Sequence, residues 1–238
     1  MRRKRWALCA FLLLLCLLPG RKEASPAAGP AEIPASRFVA LTFDDGPRRD
    51  TTSRLLDGLR ERGASATFFL VGQQIEGSED LLLRMRDEGH QVGNHSWSHA
   101  SLKDESDWGL LQEVGRTDTL LREILGEGSY WLRPPYGFLT ARQRQLVTVP
   151  VIKWSVDPED WKLRDTEKDV AAVLKKVRPG DIILMHDSIP ATVDAALRIV
   201  DALQAEGYIF VTVEELLALS GVDPQPGIFY RSAAETEE

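Results

Sequence analysis

From residue 37 onward, short apolar runs alternate with longer segments in which apolar residues recur every three or four positions. Residues 38–43 read as a strand, and 51–62 as a helix through Leu55, Leu56 and Leu59 that Gly63 stops. Residues 67–71 form a second strand-like run. Ser78 opens a helix carrying Leu81, Leu82 and Met85, Gly89 closes it, and a short third strand is expected around Val92. Residues 107–125 have the pattern of a long amphipathic helix ending at Gly126. A strand near Trp131, a proline-rich loop and a strand-like run over 149–156 come next. The remainder predicts a helix over 166–177, a turn at Pro179-Gly180, a buried strand over 181–185, a helix over 192–205, a strand over 208–211 and a helix over 213–219. Strands alternating with helices of this length indicate βα units and a parallel sheet, hence an α/β fold. No repeat and no second domain boundary interrupt residues 37–219. In an α/β barrel the chemistry sits at the C-terminal ends of the strands, so reactive residues are expected where the apolar runs stop.

The two ends of the chain read differently. Residues 2–5 are Arg-Arg-Lys-Arg, followed by an apolar run over 6–18 that Pro19-Gly20 ends. As a helix that run spans about 20 Å, short of the ~30 Å hydrocarbon core. Residues 1–24 are therefore expected to be a secretory signal or an uncleaved N-terminal membrane anchor, the only membrane contact expected. Residues 25–36, rich in Ala and Pro, read as a linker, and 220–238 as a C-terminal tail whose small, acidic end frays. Both cysteines, Cys9 and Cys16, lie in the leading segment. An exported domain with neither thiol nor disulfide suits a bacterial exterior, secreted or at the cell surface.

The composition, with 43% hydrophobic and 27% charged residues among 238, excludes a coiled coil, a collagen, a disordered chain and a multi-span membrane protein. The formal net charge of −7 argues against nucleic acid as a partner. Removal of residues 1–28, with six basic residues and one acidic, makes it −12. No feature implies a protein partner.

The apolar runs do end on reactive groups. After the first comes Asp44-Asp45-Gly46-Pro47. Two adjacent carboxylates in one site repel, which a cation relieves, one Asp ligating while the other stays free as a base. The plainer reading is a solvated Asp-Gly turn. His95 and His99 stand at i and i+4, which on a helical turn places both imidazoles on one face, suited to chelating one ion. Two nitrogens and one carboxylate leave coordination positions open, as a hydrolytic site needs; the alternative is an accidental pair. His90, at a helix end beside Gly89, reads as structural or dipole-favoured. Arg133, ahead of Pro134-Pro135, could brace a carboxylate or sit on the surface. Trp161, in Asp157-Pro158-Glu159-Asp160-Trp161, could form a sugar-stacking wall or cap the core. His186 ends the buried 181–185 run, a position suited to a proton donor or to a structural role.

Taken in order, Thr42-Phe-Asp-Asp-Gly-Pro47, His95-Ser-x-x-His99, Arg133-Pro-Pro-Tyr-Gly137, Asp157-x-x-Asp160-Trp161 and Leu184-x-His186 resemble the motif series of the polysaccharide deacetylase family, the NodB-homology group of carbohydrate esterases. The resemblance spans roughly 37–219 and implies a distorted (β/α) barrel, often seven-stranded, as the catalytic domain. It implies that Asp45, His95 and His99 hold a divalent metal, commonly zinc, with cobalt or another divalent ion as alternatives. Asp44 would be the catalytic base, Arg133 its orienting partner, His186 the general acid, and Asp160 a support on the Arg133/His186 side. Tyr136 would offer a backbone N–H to the oxyanion, and Trp161 and Leu184 would line the pocket. The activity implied is metal-dependent N-deacetylation of N-acetylated amino sugars in cell-wall glycan, with peptidoglycan preferred, chitooligosaccharide the next substrate and acetate as product. The alternatives are an O-acetyl (xylan) esterase on the same fold and a catalytically silent glycan-binding surface protein.

Overall fold

The structure is a computed structural model that describes residues 37–237. The expected signal or anchor and the linker lie outside the described residues. Among those described, no helix is long and apolar enough to cross a membrane.

The chain runs β1 (Arg37–Asp44), α1 (Arg49–Glu61), β2 (Thr67–Leu70), α2 (Gly72–Ile75), α3 (Glu79–Asp87), β3 (Gln91–Asn94) and α4 (Asp107–Leu125). It continues α5 (Ala141–Arg144), β4 (Val151–Ile152), α6 (Asp160–Leu163), α7 (Thr166–Lys176), β5 (Ile182–His186), α8 (Pro190–Ala205), β6 (Tyr208–Val211), α9 (Val213–Leu219), β7 (Phe229–Tyr230) and β8 (Thr236–Glu237). The strands β3-β2-β1-β5 are parallel neighbours in that order, and β6 pairs with the N-terminal half of β1. Single parallel bridges, Asn94 to Leu132, Leu132 to Val151 and Val156 to Ile183, carry the pairing from β3 round to β5. The expected strands at Trp131 and over 149–156 are thus reduced to one bridge and to β4 plus a second bridge. Proline is the physical reason near Trp131: Pro134 and Pro135 follow at once and have no N–H for a ladder.

Alternation along the strands sorts the side chains. In β1, Val39, Leu41 and Phe43 pack in the main core with Leu55, Leu56 and Leu59 of α1 and Ile199 and Val200 of α8, while Ala40, Thr42 and Asp44 take the other face. In β5, Ile183 and Met185 join that core, leaving Ile182, Leu184 and His186 on the opposite side. The register sets Asp44 level with His186 and with Phe69, and Phe69 level with Gly93. Glycine is needed there, because a Cβ on Gly93 would lie 2.5 Å from the Phe69 ring.

The end of the chain departs from the expected frayed tail. Phe229 and Tyr230 are buried and pair in parallel with Val151 and Ile152, β8 returns antiparallel to β7, and Ser232 bridges to Asp181. A two-residue strand has no periodicity to read, so this pairing left no pattern in the sequence.

Candidate active site

The C-terminal ends of β1, β3 and β5 open on a cavity of about 370 Å³ lined by Asp44, Asp45, His95, His99, Tyr136, Trp154, Asp157, Trp161, Leu184 and His186. A larger cavity, about 480 Å³, lies at the other ends of the strands beside Phe38 and Asp181, and no histidine lines it.

Asp45 follows β1 in a left-handed conformation, φ 72°, which turns its carboxyl away from the strand. His95 and His99 come together without a helix: β3 stops at Asn94, and Ser96 (φ 66°) and His99 (φ 62°) fold the loop back. The helical placement expected from their spacing is therefore replaced by a tight loop, which Glu113 of α4 holds by accepting the Trp97 and Ser98 N–H groups at 3.1 and 2.8 Å. The two imidazole centroids are 5.0 Å apart.

Asp45 Oδ1 is 3.6 Å from His95 Nε2 and 3.2 Å from His99 Nε2. Ligands about 2.1 Å from a tetrahedral zinc stand about 3.4 Å from one another, so these spacings fit such an ion. Asp45 Oδ1 is itself buried with no hydrogen-bond partner among the described residues, as an oxygen reserved for a cation would be. His95 is prepared in the same sense. Its Nδ1 lies 2.7 Å from the Arg133 carbonyl, which only accepts, so Nδ1 carries the proton and the Nε2 lone pair faces Asp45. Burial lowers its pKa, partly opposed by Asp44 and Asp45, and keeps the ring neutral, the form that ligates.

Asp44 is the carboxylate left over. Arg133, 0% exposed, donates to Asp44 Oδ1 at 2.8 Å and to Thr42 Oγ1 at 2.7 Å from Nη1. The guanidinium also donates to the Ile152 and Lys153 carbonyls and lies 4.2 Å above the Phe69 ring. Burial pushes the Asp44 carboxyl up, but the charge and hydrogen bond of Arg133, with the charge of His186, more than offset it and hold it below the usual range. It is therefore ionised at neutral pH.

His186 faces the same cavity with the opposite tuning. Its Nδ1 donates to Asp160 Oδ1 at 2.9 Å, its backbone N–H to Asp160 Oδ2 at 2.9 Å, and the Thr192 hydroxyl to Oδ2 at 2.8 Å. Burial lowers the imidazole pKa, but the Asp160 hydrogen bond and charge, with Asp44 and Asp45, raise it overall to about 9. A protonated imidazole thus stands across from an ionised carboxylate, an arrangement that separates an acid from a base. Asp160 bonds to His186 and Thr192; the expected Arg133/His186 support falls on the His186 side.

Trp161 is 52% exposed on α6 and lines the cavity, which favours the wall over the core cap; Leu184 is 3% exposed beside it. Tyr136 stands at φ 62° in a turn over residues 135–137, its ring 5.1 Å from that of His99. His90 is structural: it is buried, accepts the Ala66 N–H at 3.1 Å, and burial lowers its pKa to about 4, so it carries no charge for a helix dipole to favour.

Sequence reasoning missed Trp154 and Asp157 as lining residues, Thr42 and Thr192 as partners of Arg133 and Asp160, and Asp187. Thr42 had a signal, being a polar residue inside an apolar run and two before Asp44, hence on its face. Asp187 adjoins His186, and burial raises its carboxyl to about 7.

The geometry belongs with a known class. The sequence model of the family described as polysaccharide deacetylase matches residues 32–148. The peptidoglycan-N-acetylglucosamine deacetylase of Bacillus cereus is 35% identical over 83% of this chain and 97% of its own. The chain belongs to the polysaccharide deacetylase family. A peptidoglycan-N-acetylmuramic acid deacetylase of Bacillus subtilis, PdaC, is 39% identical over 77% of this chain, which spans only 39% of that relative's length. Among solved structures, a family 4 acetyl xylan esterase from Clostridium thermocellum in complex with a cobalt ion superposes with a TM-score of 0.79 at 34% identity, covering 83% of this chain and all of that one.

Proposed function

We propose that this protein is a metal-dependent N-deacetylase that hydrolyses the acetamido group of N-acetylated amino sugars in cell-wall glycan, peptidoglycan above all, and releases acetate. The observation that carries the reading is the convergence of Asp45, His95 and His99 beside an unligated, Arg133-held Asp44, with His186 across the cavity. Asp45, His95 and His99 would hold the divalent ion, zinc by their N and O donor set, with cobalt the next choice. A divalent ion held there supplies Lewis acidity for the acetamide carbonyl and makes water easier to deprotonate.

The chain's own groups do the rest. Asp44, ionised and with Oδ1 committed to Arg133, offers Oδ2 to take a proton from the attacking water. The Tyr136 backbone N–H is assigned to the developing oxyanion. His186, its Nδ1 held by Asp160, presents Nε2 to protonate the departing amine, without which that group leaves poorly. Trp161 and Leu184 supply an apolar wall for the sugar face and the acetyl methyl. The basic and apolar leading segment and the cell-wall polymers named for the relatives support export to the cell surface as part of this reading.

The test is acetate release, with mass spectrometry of products, from muropeptides, chitooligosaccharides and acetylated xylan, each with and without a chelator. Chelator-sensitive release from muropeptides is expected, restored by zinc or cobalt. Similarity to an acetyl xylan esterase supports O-deacetylation as a second reading, and release from xylan alone would select it. No metal-dependent release from any substrate would leave a glycan-binding protein.

A further inference from the structure

One buried carboxyl beside this site takes no part in the chemistry above. Asp187 is 0% exposed, directly after β5, and its carboxyl lies flat against Gly46, the residue after Asp45. The fit is close enough that a Cβ on Gly46 would fall 2.6 Å from both Asp187 Oδ1 and Oδ2. The Thr52 hydroxyl, 0% exposed in the first turn of α1, bonds to Asp187 Oδ2 and accepts the Arg48 N–H at 2.8 Å. From the other side the Gly46 carbonyl accepts the Val71 N–H at 3.0 Å. The turn bearing Asp45 is therefore gripped between the end of β2 and a carboxyl from the end of β5. Among the described residues, Asp187 Oδ1 has no hydrogen-bond partner. An unsatisfied buried oxygen opposes stability, so the fold gains little by placing a carboxyl there for its own sake.

We propose that Asp187 is a positioning residue for the metal centre: its carboxyl supports the Gly46 backbone from below and so keeps Asp45 within reach of His95 and His99. The assignment rests on the reading of Asp45 as a metal ligand. Groups that orient ligands without touching the metal commonly change its affinity by about ten- to a hundredfold when removed.

The experiment is titration of the metal-free protein with cobalt and zinc, reading dissociation constants by competition with a chromophoric chelator and the visible cobalt spectrum, alongside thermal unfolding of the metal-free form. Asp187→Ala is expected to weaken both metals about tenfold or more and to alter the cobalt spectrum. Asp187→Asn, which preserves the flat shape, is expected to restore affinity to within about threefold. Thr52→Val, which frees the carboxyl from α1, is expected to weaken binding several-fold, and it decides the question should Asp187→Ala not fold. Wild-type affinity and spectrum in Asp187→Ala, or in Thr52→Val where the alanine variant is unfolded, would overturn the assignment while leaving the metal site standing. Wild-type protein that takes up neither metal would overturn the site reading and this assignment together.

Discussion

Asp160→Asn separates charge from shape at the proposed acid. Asp160 is 0% exposed and receives three hydrogen bonds, from His186 Nδ1, the His186 N–H and the Thr192 hydroxyl. A carboxylate accepts all three, whereas an Asn amide turns its N–H₂ toward one of these partners and so favours an imidazole without a proton on Nδ1. The rise of the His186 pKa from 6.5 to about 9 corresponds to about 3 kcal/mol of preference for the imidazolium in the folded protein. Because the folded value is the higher one, that stabilisation is complete below pH 6.5 and is lost as pH rises through about 9. Without the Asp160 charge and hydrogen bond, burial is opposed only by Asp44 and Asp45, and the imidazole pKa falls back toward its ordinary value. The alkaline limb of kcat should then move toward acid, by about one to two pH units. Denaturant unfolding should fall in stability between pH 6.5 and 9 in the wild type by up to about 3 kcal/mol more than in the variant. The assay is acetate release from pH 5 to 10 at saturating metal, paired with unfolding at both ends of that range. A bound divalent cation acts on His186 in both proteins, so the difference between them is what counts. An alkaline limb that stays in place, in a variant that folds, would refute the acid assignment.

Three other outcomes follow from the same contacts. Arg133→Met removes a buried guanidinium and leaves the Asp44 carboxylate unpaired, which should lower unfolding stability by about 3–5 kcal/mol and abolish acetate release; unchanged stability would contradict the buried pair. Trp161→Ala, at a side chain 52% exposed, should raise KM by a few-fold to about tenfold with little change in melting temperature, whereas a large stability loss would return it to the core. Phe229→Ala, in a ring 4% exposed beneath Lys153 Nζ, should lower stability by about 3–5 kcal/mol in chemical denaturation, and a loss below about 1 kcal/mol would mean that the last residues are not part of the packed domain.

Much of this site was legible in one dimension because metal ligation, proton transfer and strand endings each demand particular residue types. Asp44, Asp45 and His186 stand out as polar groups terminating apolar runs, and His95 and His99 as a close pair. What the residues do to one another was less legible. The helix imagined for His95 and His99 is a loop with two left-handed residues, since local spacing carries no information on the backbone that the neighbouring Glu113 enforces. Thr192 looks like an ordinary threonine until packing sets it on Asp160.

The sequence alone determined the alternation of strands and helices and the identity and order of the reactive groups, because periodicity and residue chemistry are local properties. Only the tertiary structure decided that the side chains of Asp45, His95 and His99 converge, that Arg133 is buried on Asp44 rather than exposed, and that the C-terminal segment pairs with β4. Those outcomes depend on parallel register between segments far apart in the chain and on the burial that register creates. Burial and charge together then set Asp44 as ionised and His186 as protonated.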